Sequence, residues 1–111
     1  MFPPNMPAME LYAGDDFTET LRFREAGEPV DLTGWSGWEA EWRARDKHET
    51  FTVDASREDE GLITLTLTAA QTRVMRGYGS WDLQAMKGGL TRTWVSGVTV
   101  WREDVTGRTD D

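Results

Sequence analysis

Short runs in which apolar and polar residues alternate constrain the fold of this chain more than any other sequence feature. The clearest run is LITLTL at residues 62–67, where Ile63, Leu65 and Leu67 share one face and the other face is rich in threonine. Because successive side chains of a β-strand point to opposite faces, this pattern predicts a strand with one buried face. Residues 17–24 alternate in the same way and predict a second half-buried strand.

The stretch PVDLTGWSGWEAEW, residues 29–42, contains three of the chain's six tryptophans. Its Asp-Leu-Thr-Gly predicts a bend, after which Trp38, Ala40 and Trp42 alternate with charged residues. Each tryptophan on one strand face can bury on the order of 200 Å². We therefore predict that Trp38 and Trp42 are core residues, and Trp81 with them.

The second half of the chain reads as strands interrupted by one helical turn. TAAQ at residues 68–71 has the spacing of a capping box and predicts a short helix, with Val74 and Met75 facing the core. An acidic, flexible connection is expected at residues 54–60. The other predicted elements are strands at residues 78–86, 90–96 and 98–105, with a hairpin at residues 87–89. About seven short strands and one helical turn predict an all-β, two-layer antiparallel β-sandwich.

The length of 111 residues, with 38% hydrophobic residues, fits one domain. We divide the chain into an extended Pro-rich N-terminal arm (1–13), a β-sandwich domain (14–106) and a flexible acidic C-terminal tail (107–111). Prolines fix φ and remove backbone donors, so the first eight residues are expected to be extended. The arm is also apolar, which predicts contact with a neighbouring protein through Phe2, Pro3, Pro4, Met6, Pro7 and Met9.

Charge and composition exclude several classes of partner. The formal net charge is −8, so the surface would repel phosphate backbones, and we expect no nucleic-acid partner. No apolar run approaches the roughly 20 residues that cross a bilayer, so we expect a soluble chain without a membrane partner or secretion signal. The chain has no cysteine, which excludes disulfides and thiolate chemistry.

Residues with catalytic or metal-binding chemistry are sparse. His48 is the only histidine, and it lies among charged residues in a predicted loop or hairpin tip. The Asp15-Asp16 pair and the acidic run at 58–60 lack the alternating oxygen ligands of a calcium loop. We therefore expect no catalytic residues, no metal site and no cofactor, and we predict that the protein is not an enzyme.

Three tryptophans are less clearly assigned to a core. Trp35, Trp94 and Trp101 are candidate contact residues, because exposed tryptophans on strand faces are frequent at protein interfaces. Val98 and Val100 would occupy the face of the last strand opposite to Trp101. Exposed tryptophans would equally suit a carbohydrate-binding platform, so this alternative stays open.

Three segments taken together resemble a known family. They are GDDFTETLRFREAGEPVDLTGW, GLITLTLTAAQTRVMRGYGSWDLQA and GVTVWREDVT. Their order and spacing are similar to small β-domains of tailed bacteriophages, in particular the N-terminal domain of phage baseplate upper proteins and related minor tail proteins. The resemblance covers residues 14–106. It implies an immunoglobulin-like β-sandwich and a structural place in the virion, assembled in the bacterial host cytoplasm, and it brings no catalytic residues.

The leading hypothesis is therefore a non-enzymatic structural protein of a tailed-phage virion, most simply a tail-tip, baseplate or minor tail component. Its partners would be other phage structural proteins, in a homo-oligomer or another symmetric assembly. One alternative is a capsid decoration protein that binds the capsid surface through the N-terminal arm. Another is a carbohydrate-binding module that uses Trp94 and Trp101.

Overall fold

The computed structural model describes residues 9–45, 47–75 and 79–102, with the backbone alone at residues 101 and 102. Within these residues the chain forms ten β-strands and one short helix. The strands are β1 (Met9–Tyr12), β2 (Phe17–Arg22), β3 (Arg24–Glu25), β4 (Glu28–Pro29), β5 (Ser36–Ala44), β6 (Lys47–Thr50), β7 (Thr52–Arg57), β8 (Leu62–Leu67), β9 (Gly79–Lys87) and β10 (Leu90–Arg102). A 3-10 turn (Glu58–Glu60) precedes β8, and the helix α1 (Ala69–Val74) follows it. The predicted all-β class with one short helical turn is confirmed.

The strands form two main sheets around one core. The larger sheet has the order β1-β10-β9-β5-β6, the smaller has the order β2-β8-β7, and β3 and β4 form a separate ribbon. The predicted sandwich is confirmed. The larger sheet is not wholly antiparallel as predicted, because β1 pairs in parallel with β10.

The core lies between the two sheets and follows the alternation of the sequence. Ile63, Leu65 and Leu67 on β8 are each 0% exposed. Trp42 on β5 and Trp81 on β9 are also buried, which confirms both as core residues, and Trp38 is half-buried at the edge of the same core. Burying such apolar side chains contributes roughly 1.5–3 kcal/mol each.

The indole of Trp42 on β5 crosses β9 and bonds to β10, two strands away in the same sheet. Its Nε1 donates a 2.7 Å hydrogen bond to Oγ1 of Thr99 on β10, and both residues are buried. Gly79 lies on the strand between them, and a Cβ at that position would overlap the Trp42 ring. The strand β9 therefore needs a glycine where the indole crosses it.

Residues 9–12 do not belong to a separate arm as predicted. Met9–Tyr12 is a strand of the larger sheet, with Met9 and Leu11 in the core and Glu10 and Tyr12 exposed. The boundary at residue 13 is therefore wrong, because Met9 and Leu11 alternate with polar neighbours and supply one more core-facing strand. Residues 1–8 and the predicted tail at 107–111 lie outside the described residues.

Two predicted strands at 90–96 and 98–105 are one continuous strand as far as the structure describes them. β10 runs through Gly97, which pairs with Trp81 of β9, so the glycine lies within a strand and not in a turn. A bulge between Thr93 and Val95 changes which side chains face inward. Both Trp94 and Val95 are buried as a result.

The connection at residues 54–60 is ordered, contrary to the prediction. β7 continues to Arg57, and the Asp54 carboxylate accepts a 2.9 Å hydrogen bond from the Ser56 backbone N–H. Arg57 pairs with Glu60 at 2.9 Å, and the Glu58 carbonyl accepts a backbone hydrogen bond from Leu32. These local contacts replace the flexibility that the acidic composition suggested.

The capping box of α1 is confirmed. Thr68 accepts a hydrogen bond from the Gln71 N–H, and the Gln71 side chain accepts one from the Thr68 N–H. Met75 is fully buried as predicted, whereas Val74 is 51% exposed. Thr72 faces inward in place of Val74, because Thr72 and Met75 are three positions apart and share one helix face.

Candidate protein-contact surfaces

An aromatic cluster surrounds Trp94 near one end of the sandwich. The rings of Phe23, Trp35 and Trp38 lie 5.8, 5.1 and 6.2 Å from the Trp94 ring between centroids. The Arg92 guanidinium lies 4.0 Å from the centroid of Trp94. Edge-to-face pairs of this kind and a cation over an indole each add to the energy of area burial.

Trp94 is only 5% exposed, which overturns its expected role as an exposed contact residue. The bulge in β10 directs its ring inward, where it joins β10 to Phe23 and to the start of β5. A partner or a glycan cannot reach a side chain enclosed in this way. The role of Trp94 is therefore to pack the domain.

Trp35 lies at the surface of the same cluster and is half-buried. The Lys87 ammonium lies 5.8 Å from its ring centroid, at the hairpin between β9 and β10. Two further apolar side chains at this hairpin are exposed, Met86 at 47% and Leu90 at 71%. Loops at the ends of such sandwiches are frequent binding surfaces. The contact role of Trp35 thus stays a prediction.

The other predicted contact residues are placed as follows. Met9 is 6% exposed and packs in the core, so its expected role in a docking arm is wrong. The backbone of Trp101 pairs with Leu11 in β1, and its side chain is not described. The remaining members of the predicted set lie outside the described residues: Phe2, Pro3, Pro4, Met6 and Pro7.

The outer face of the larger sheet carries converging carboxylates that the sequence analysis did not anticipate. Glu39 and Glu41 of β5 and Asp82 of β9 line a groove of about 760 Å³, together with Arg43 and Val98. Asp82 lies directly opposite Glu41 in the register of the two strands. The strands are about 40 residues apart in sequence, so only the sheet order brings these carboxylates together.

Acidic side chains outnumber basic ones in the groove. Partial burial raises the pKa of the Asp82 carboxyl, and the negative charge of Glu41 raises it further, while Arg43 acts in the opposite direction. The Arg43 guanidinium pairs with Glu41 at 2.9 Å, on a part of the face open to solvent. Like charges opposite each other across two strands are destabilising.

On this face Ser80 and His48 are not placed as a nucleophile and its base. Arg43 pairs in register with Ser80 on one side and with His48 on the other. With neighbouring strands about 4.8 Å apart, Ser80 and His48 are about 10 Å apart and have Arg43 between them. A general base must lie within about 3 Å of the proton that it removes.

The described part of the chain offers neither a metal site nor a membrane-spanning helix. No group of three or more His, Asp or Glu residues that could hold a metal ion is found there. The Asp16 carboxylate accepts a 2.8 Å hydrogen bond from the Ala69 N–H at the start of α1, which gives it a structural role. None of the helices in these residues is long and apolar enough to cross a membrane.

The fold is similar to that of a solved phage domain. The N-terminal domain of phage TP901-1 ORF48 matches with a TM-score of 0.55, and the match covers 86% of this chain and 85% of that chain. The two sequences are 12% identical over the match, so the likeness concerns the fold. No protein-family model matches the chain, and no curated protein sequence does.

Proposed function

We propose that this protein is a non-enzymatic structural component of a tailed-phage particle that acts through protein–protein contacts. The observation that carries the proposal is the similarity of its fold to the N-terminal domain of phage TP901-1 ORF48 over most of both chains. The sequence segments that resemble phage tail proteins are a second line of support for a structural role in a phage particle.

Within the particle, we propose a place at the tail tip or baseplate, or as a minor tail component. The resemblance of residues 14–106 to the N-terminal domain of baseplate upper proteins supports this position. The surfaces available for contact suit it, since the described chain offers an exposed apolar hairpin end, an acidic sheet face and unpaired sheet edges. Symmetric tail assemblies are built by repeated contacts of small domains of this kind.

Gold-labelled antibodies against the protein, viewed on intact particles by electron microscopy, test the position. The tail proposal predicts label at the distal end of the tail and none on the head. Label over the head surface would contradict it and would favour the capsid decoration alternative. Particles from a phage that lacks the gene serve as the control for antibody specificity.

The carbohydrate-binding alternative loses one of its two named tryptophans. Trp94 is enclosed by other aromatic rings, and stacking on a sugar requires an open ring face. The acidic groove on the outer sheet face contains Trp81 only as a buried side chain. The structural role therefore has stronger support than glycan binding.

A further inference from the structure

Among the described residues, strand β2 has no pairing partner on one of its two sides. It is the outer strand of the smaller sheet, and its six residues pair with β8 in unbroken register from Phe17 opposite Leu67 to Arg22 opposite Leu62. The free side of an edge strand carries a row of backbone N–H and C=O groups. An extended segment of another chain can pair with such a row and lengthen the sheet.

The other edges in the described part of the chain are shorter or interrupted. β7 has an irregularity between Asp54 and Arg57. β6 is four residues long, and the side-chain amide of Gln71 donates a 2.8 Å hydrogen bond to its Thr50 carbonyl. β1 is also four residues long. Proteins use short edges, bulges and inward-pointing charges to prevent edge pairing; β2 is neither short nor bulged, but it carries one inward-pointing charge, Glu19.

Glu19 is a charged residue on the core-facing side of β2. It pairs with Leu65, which is fully buried, so its side chain lies on the core-facing side of β2 between those of Phe17 and Leu21. Glu19 is half-buried, and no hydrogen bond or ion pair to it occurs among the described residues. A carboxylate that is partly removed from water without a partner costs free energy, and a cation held beside it would offset that cost.

A second copy of the same edge does not supply this cation. In a twofold antiparallel pairing of two β2 strands, core-facing side chains must meet core-facing side chains. If the axis passes through any of residues 18–21, Glu19 faces Phe17, Leu21, Phe23 or a second Glu19. Residues 1–8, MFPPNMPA, contain no lysine or arginine and so offer no cationic side chain either.

We propose that the free edge of β2 is a docking surface for an extended strand of another protein that carries lysine or arginine opposite Glu19. The residues two positions to either side of that cation would be apolar, because they would lie beside Phe17 and Leu21 on the core-facing side. Main-chain pairing supplies the attachment, and the ion pair fixes the register. This inference rests on the proposed structural role and deepens it by naming the surface and the chemistry of the partner.

A pair of synthetic peptides tests the proposal on the isolated protein. The probe is the capped heptapeptide Thr-Val-Thr-Lys-Thr-Val-Thr, and the matched peptide has Glu in place of Lys. Binding is followed by NMR of the β2 backbone amides and by titration. We expect the Lys peptide to shift and protect the amides of residues 17–22, and to bind at least about tenfold more tightly than the Glu peptide, which is about 1.4 kcal/mol.

Charge exchange provides the decisive comparison. The Glu19→Lys variant should reverse the preference in favour of the Glu peptide, and Glu19→Gln should abolish the preference. Glu28→Lys, an exposed position on β4, makes the same change in net charge and should leave the preference unchanged. Melting curves of the three variants establish that each is folded, and Glu19→Gln keeps the test valid if the charge reversal unfolds the domain.

Several results would overturn the proposal. Equal binding of the two peptides, or no binding of either, would show that Glu19 does not select a basic strand. Binding that appears only after residues 2–8 are deleted would show that the chain's own N-terminal segment occupies the edge. Self-association of a Glu19→Leu variant, with no peptide binding by the wild type, would show that Glu19 only guards the edge.

The failure of this inference is distinguishable from failure of the proposed function. The peptide measurements use the isolated protein and do not depend on the particle. Absence of the wild-type protein from purified particles would overturn the structural role. Presence of the wild type in particles, with an inert β2 edge, would overturn only the docking surface.

Discussion

Trp42 is the largest fully buried side chain in the described core, and its indole N–H is satisfied by Thr99. We predict that Trp42→Ala lowers the free energy of unfolding by roughly 3–5 kcal/mol, because it removes the ring and leaves a cavity between the sheets. Urea denaturation measures the change. Trp35→Ala, at a half-exposed position, is the control and should cost less. A midpoint for Trp42→Ala close to that of the wild type would contradict the assigned packing.

Asp82 gives the stability of the protein a dependence on pH. Because burial and Glu41 raise its pKa above the ordinary value of 3.8, folding favours the protonated carboxyl. The contribution of this group to stability is therefore fully present below pH 3.8 and is lost as the pH rises through the folded-state pKa. Asp82→Asn should stabilise the protein at pH 7 in urea denaturation, and the gain should disappear near pH 3.

Asp54→Asn is the matched control for Asp82→Asn, and it should change the stability of the protein in the opposite direction. The backbone N–H of Ser56 lowers the pKa of the Asp54 carboxyl, so its contribution is present at neutral pH and is lost as the pH falls. Asp54→Asn should therefore destabilise the protein at pH 7 and have less effect near pH 3. The same sign for both variants would contradict the electrostatic account of the outer sheet face.

At the scale of single residues, the sequence predicted burial best where alternation was regular. Trp42, Trp81 and the apolar face of β8 are core residues as predicted, because period-two patterns fix which face a side chain occupies. Trp94 could not be assigned in this way, since one extra residue in the β10 bulge changes the face. The convergence of Glu41 and Asp82 was also beyond prediction, because it depends on which strands are neighbours.

At the scale of elements, the capping box of α1 is the most specific local signal in the sequence. We predict that Thr68→Ala lowers the free energy of unfolding by about 1 kcal/mol, since the Gln71 N–H loses its acceptor at the start of the helix. Thermal or urea denaturation measures the loss. Thr18→Ala, at an exposed strand position, is the control and should change stability less. An equal loss for both variants would contradict a specific role for the cap.

Element boundaries were predicted less well than element types. Gly97 suggested a break between two strands, but it pairs with Trp81 of the neighbouring strand within a single β10. The run at residues 54–60 suggested flexibility, yet short-range pairs such as Arg57 with Glu60 order it. In both cases a contact made in the folded chain decides the local structure, and composition alone does not contain that contact.

At the scale of the whole molecule, the first strand that the structure describes begins at Met9. We predict that a variant lacking residues 2–8 stays folded, with a melting midpoint close to that of the wild type, and is incorporated less well into particles. Calorimetry and the protein content of complemented particles measure the two effects. Unfolding of the variant would show instead that the segment belongs to the core.

The sandwich class was predictable from the sequence because seven or more short alternating runs have few other ways to bury their apolar faces. The position of β1 was not, since four residues carry too little pattern to show that they pair in parallel with the last strand. The surfaces for partner contact were the hardest to predict. An open edge such as that of β2 can be identified only once the order of the strands is known.

The copy number of the protein in purified phage particles tests the central claim most directly. Quantitative mass spectrometry against labelled standards gives the number of copies relative to the major capsid protein. A structural role at the tail tip or baseplate predicts a fixed, small number that matches a ring or a few rings of a symmetric assembly. Absence from the particles would contradict a structural role, and hundreds of copies in proportion to the major capsid protein would contradict a place in the tail.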